Sequence, residues 1–141
     1  MKLNLISLLA AAMLLGSACQ PKPEPIHFGE DQCHYCKMSI SDVKFGSEMI
    51  TKKGRIYKYD AAECMVRHLT EEAPEWRALY AIAYDKPERL IPVDSLHWLI
   101  SPDFRSPMGA NLVAFSSRDQ LDPQYYSQLI QWIEVVQRIG E

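Results

Sequence analysis

The chain has 141 residues, 48% hydrophobic and 23% charged, with 15 Lys and Arg against 18 Asp and Glu for a net charge of −3. That balance belongs to a globular protein and excludes a disordered or fibrous one. The absence of a basic excess argues against nucleic acid as a partner, and the length suits one domain or two very small units sharing a core.

The first segment reads as an address. Lys2 is followed by an apolar run, Leu5 to Leu15, of about 11 residues, the length of a signal-peptide core and too short to span a bilayer. Gly16, Ser17 and Ala18 lead into Cys19, and a cysteine directly after small residues resembles a bacterial lipobox. Residues 1–18 are then removed and Cys19 is acylated; plain secretion is the alternative. Gln20 follows the cysteine; the absence of Asp there favours an anchor in the outer membrane over the inner, facing the periplasm. Residues 19–30 carry Pro21, Pro23 and Pro25, an alternation that predicts an extended tether standing free of the core.

The remaining span, 31–141, is the expected domain. Gly46 to Thr51 and Arg55 to Tyr59 read as a hairpin turning at Gly54. Asp60 is the expected cap of a helix over Ala61 to Glu72, with Glu63 as its first-turn acid and Pro74 beyond its end. Met49 and Met65 read as core. Strands are expected at Leu79–Tyr84, Leu90–Val93 and Leu96–Ile100, then a loop over Ser101–Pro107 and a strand at Leu112–Phe115. Apolar residues at helical spacing predict a closing helix from Tyr125 to Ile139. Phe45–Ile50 and Met108–Val113 share an order of apolar, Gly, small, polar, apolar, apolar, a short echo that hints at duplication.

Sulfur carries the chemistry. Cys33-His34-Tyr35-Cys36-Lys37-Met38 sets two thiols and a thioether within six positions. Lys37, standing where haem attachment needs His, excludes that role, and a pair ahead of every strand is ill placed for thioredoxin-like exchange. Zinc is open: Cys33, Cys36, Cys64 and His68 form a complete tetrahedral set. Met38 instead favours Cu(I), which soft thiolate and thioether ligands select. Met108, between Pro107 and Gly109, is a second methionine in an irregular setting. Cys64 reads as a core residue of the helix. No catalytic triad, paired-carboxylate motif or phosphate loop is present, so the expectation is not an enzyme.

Cys33 to Met38, Tyr57-Lys58-Tyr59-Asp60, and Ser106-Pro107-Met108-Gly109-Ala110 followed by Leu112-Val113-Ala114-Phe115 together resemble the NosL family. The resemblance implies a lipid-anchored copper chaperone for assembly of nitrous oxide reductase. It implies one Cu(I) held by Cys36, Met38 and Met108, with Cys33 or His34 as an exchange ligand, and delivery through transporter-linked machinery. The implied fold is α+β, two small similar ββαβ-type units packed as one compact domain, here 31–86 and 87–141. Where the family commonly has Gly between the second Cys and the Met, this chain has Lys37. A structural zinc module that binds a partner protein, a copper-handling lipoprotein with another recipient, and a secreted thiol oxidoreductase are the competing readings.

Overall fold

The computed structural model describes residues 21–141, so the leader and the acylation expected at Cys19 lie outside the described residues. The hairpin forms as the pattern requires. Strands β1 (Ser47–Thr51) and β2 (Ile56–Tyr59) pair antiparallel, with Gly54 at a φ of 83° in the turn. Helix α1 (Ala62–Glu72) follows, and Ala73, at a φ of 45°, ends it just before Pro74. Strand β3 (Trp76–Ala83) then returns beside β1, and β4 (Lys86–Pro92) pairs with β3. The result is an antiparallel sheet in the order β2-β1-β3-β4.

Alternation along the strands divides the sheet's two faces. Met49, opposite Leu79, shares a buried cluster with Ala81 and with Met65 and Val66 of α1. Met49 and Met65 are wholly buried, as their spacing predicted. Removing each such side chain from water stabilises the fold by roughly 2 kcal/mol.

Strands β5 (His97–Ile100) and β6 (Leu112–Phe115) form a separate antiparallel pair, tied to the end of β3 by a 2.8 Å hydrogen bond from Tyr84 N to Ala114 O. The architecture is α+β. Its first unit is ββαβ, with β4 added at the sheet edge, whereas the second is abbreviated to β5, β6 and a short helix, α2 (Trp132–Ile139).

That last helix begins later than its periodicity predicts. Asp122 accepts a hydrogen bond from Gln124 N and opens a 3-10 turn over Pro123–Gln128. The backbone then extends so that Ile130 N can donate to Trp98 O at 2.9 Å. Gln131 and Glu134 form a reciprocal capping box that starts α2 afresh. Ile130 and Trp132 are buried on either side of the break, which is why the apolar pattern looks continuous.

The proline-rich segment is extended, as its composition dictates, but it does not stand free. Pro25 O accepts from Lys58 Nζ at 2.8 Å, Glu24 N donates to the Glu48 carboxylate at 3.1 and 3.2 Å, and Pro21 O accepts from the Tyr80 hydroxyl at 2.5 Å. Lys58, Glu48 and Tyr80 stand side by side on β2, β1 and β3, so the segment crosses the strands. Proline lacks an N–H but keeps its carbonyl, and two of these carbonyls supply the contacts. Ile26 adds an apolar anchor, buried against the core.

The six-residue echo has different structural causes in its two copies. A Cβ on Gly46 would lie 2.8 Å from Ile26 Cδ1, whereas Gly109 has open space but a φ of +79°. One glycine admits a close neighbour and the other makes a turn.

Candidate metal centre

Residues 32–39 form a tight reversal. Gln32 and Ser39 make an antiparallel bridge, Cys33 N donates to Met38 O at 2.8 Å, and Lys37 N donates to Cys33 O at 3.0 Å. Lys37 adopts a φ of 65°, the left-handed conformation that glycine enters without strain. Lys37 thus takes up a conformation that a glycine would enter freely. The Lys37 ammonium donates to His34 O, closing the turn on itself. His34 N donates to Lys58 O at 2.8 Å and hangs the turn on the outer edge of β2.

This turn carries Cys33 and Cys36 toward the beginning of α1, where Cys64 sits. The three sulfur atoms all lie within 4.8 Å of one another. Cys33 and Cys64 are fully buried and Cys36 is half-buried. A hydrogen bond from the Cys64 thiol, opposing burial and joined by backbone N–H groups of Asp60 and Cys36, brings Cys33 down to about 5. The same bond to Cys33, with burial, pushes Cys64 up, and burial pushes Cys36 up as well. The trio is a cluster of soft donors brought together before any metal arrives.

The other expected ligands are placed differently. Met38 follows Cys36 on the same turn and is 58% exposed, an uncommon position for a large apolar side chain. Met108 is half-buried and packs against both apolar clusters of the domain. Its loop is tied to α1 through side chains: the Ser106 hydroxyl donates to the Glu63 carboxylate, while Ser106 Oγ accepts from Asn111 N at 2.9 Å. Glu63 precedes Cys64, so the methionine loop and the thiols meet the same turn of α1. Burial raises the pKa of Glu63 above the ordinary carboxylate range, against the opposing hydrogen bond from Ser106.

His68 does not complete a tetrahedral set. Its Nδ1 shares a 2.7 Å hydrogen bond with the Tyr59 hydroxyl, and its Nε2 lies 3.2 Å from the Glu72 carboxylate. Both ring nitrogens are occupied away from the thiols. His34 stacks at 4.1 Å on Tyr57 and 4.8 Å on His68. Burial, then the neighbouring His68 and Lys37 charges, lowers its pKa.

Asp60, expected as the helix cap, is not one. The cap position falls on Ala61 with no side-chain bond, and Asp60 is buried with Oδ1 unpartnered among the described side chains. Glu63 lies in the first turn as expected, yet it faces inward to hold a loop instead of solvating a helix end.

Fold and centre together define an α+β domain that gathers soft sulfur ligands at the start of a helix. The NosL family model matches residues 25–125, and the chain belongs to the NosL family. Among solved structures, the crystal structure of the copper chaperone NosL from Shewanella denitrificans superposes with a TM-score of 0.71 at 16% identity, covering 84% of this chain and 98% of that one. No curated protein matches the sequence.

Proposed function

We propose that this protein is a Cu(I) carrier of the cell envelope that supplies copper for maturation of nitrous oxide reductase through a transporter-linked assembly apparatus. The observation that carries the reading is the sulfur turn, with Cys36 half-open beside a solvent-exposed Met38. A thioether needs no deprotonation and has little affinity for zinc, so its display at the surface suits Cu(I). Family membership and the fold shared with a copper chaperone support the same reading.

Copper is cargo here. Soft ligands on a partly open turn let an acceptor's sulfur or imidazole enter before the last protein ligand leaves, so the ion passes by ligand exchange without being freed. In this reading Met108, on the loop tied to α1, adds a second thioether on the way out, and Cys33 gives a second thiol. Cys19 anchors the chain to the outer membrane, facing the periplasm, and no catalytic step is required of any residue.

Titration of the reduced full-length chain with Cu(I) against a chromophoric chelator tests the carrier role; one tightly held ion per chain is expected, and none would refute it. The recipient is tested in a host that respires nitrous oxide. Deleting the gene should leave the reductase short of copper and the gas accumulating, and an unaffected reductase would sink that assignment.

A further inference from the structure

Cys64 is more than a packing residue. It is wholly buried on α1, and a small apolar side chain would fill that volume equally well. Instead its sulfur lies within 4.8 Å of both turn cysteines. Two distant chain segments thus converge on one point with three donors of one kind. Among the described residues no fourth Cys, His, Asp or Glu joins them, because His68 is held by Tyr59 and Glu72. Structural zinc takes four ligands in a tetrahedron, whereas three soft sulfurs make a closed set for Cu(I).

Depth orders the ligands. Cys33 and Cys64 are sealed, Cys36 is half-buried, and Met38 stands in solvent. Cys36 is the one residue positioned to belong both to the inner trio and to the outward-facing edge.

We propose that Cys64 completes an inner three-thiolate seat with Cys33 and Cys36, and that Cys36 passes the held Cu(I) outward to Met38 for transfer. Each thiol that ligates gives its proton to solvent, and copper remains Cu(I) with no electron exchanged. On the way out, the bonds to Cys33 and Cys64 are replaced by the Met38 thioether and a ligand of the acceptor, and those two sulfurs take protons back. The inference rests on the carrier reading and adds a holding position to it.

The test uses the reduced full-length chain and Cu(I) itself. X-ray absorption of the loaded wild type should show three sulfur neighbours, and the same shell should persist in Met38→Ala and in Met108→Ala. Cys64→Ser should lose one sulfur from the shell and weaken binding at least roughly tenfold, about 1.4 kcal/mol, while Met38→Ala should slow transfer to a chelator. A metal-free melt of Cys64→Ser matching the wild type separates lost ligation from lost folding. If Met38→Ala or Met108→Ala, not Cys64→Ser, removes the third sulfur, the inner seat is wrong and the carrier stands. A two-sulfur shell in the wild type overturns the seat without any variant. A wild type that binds no Cu(I) overturns both.

Discussion

Two loops meet the start of α1, and they are held by different balances of main-chain and side-chain bonds. The turn over residues 32–39 is fixed by main-chain hydrogen bonds, Cys33 to Met38, Lys37 to Cys33 and His34 to Lys58. The loop that carries Met108 has main-chain bonds of its own, Gly109 to Ser106 and Ser101 to Asn111. Its tie to α1 is a side-chain bond from Ser106 to Glu63, with Asn111 N donating back to Ser106 Oγ. Main-chain bonds do not depend on which residues flank the sulfurs, so the first loop tolerates Lys at a glycine-like position. The second depends on a single buried acid for that tie and is correspondingly easy to break.

The sharpest break is Glu63→Ala, which leaves the Ser106 hydroxyl without its acceptor in a buried place. We expect a loss of about 3 kcal/mol in urea unfolding; a change within experimental error would mean that the loop is held otherwise. Acidity comes next. Burial raises the Glu63 pKa above its ordinary value of 4.5, so the folded chain holds that proton more tightly than the unfolded one. The associated stability is complete below pH 4.5 and is lost as pH rises through the folded value. Glu63→Gln should flatten that part of the stability profile measured from pH 4 to 8, and an unchanged slope would assign it to another group.

Smaller effects separate the loops further. Gly109 turns the methionine loop at a φ of +79°, so Gly109→Ala should destabilise by about 1 kcal/mol. Lys37→Gly should act in the other direction, relieving the strain at φ 65°. The larger freedom of glycine in the unfolded chain offsets part of that gain, leaving about 0.5 kcal/mol. Paired thermal melts would show both signs, and a destabilised Lys37→Gly would mean that the Lys37–His34 bond outweighs the strain.

Period-two and period-3.6 patterns sufficed for β1, β2, α1 and β6, because each buries one face on a neighbour. The same logic failed at Tyr125–Ile139, where an extended Ile130 keeps the apolar spacing while pairing with Trp98. It failed again at residues 21–30, because a carbonyl accepting from Lys58 or Tyr80 leaves no mark in hydropathy. At the centre, Cys33, Cys36 and Met38 announce themselves by their spacing. The separation of Cys64 from them hides its convergence, although the zinc set of Cys33, Cys36, Cys64 and His68 already contained the three thiols that come together. Burial and ligation compete as sequence readings of Cys64, and the fold buries it beside the other two thiols.

The proline-rich segment also fixes a direction. It enters the described fold at Tyr80 on β3 and crosses to Lys58 on β2, and the sulfur turn hangs beyond that edge strand. Neighbouring strands lie about 4.8 Å apart, so the point of entry and the metal turn are set off by at least roughly 10 Å across the sheet. The leash is stitched down along its last residues and leaves no slack beside the sulfur turn. Whatever the upstream chain is fastened to, its last residues reach the sulfur turn already bonded to the sheet.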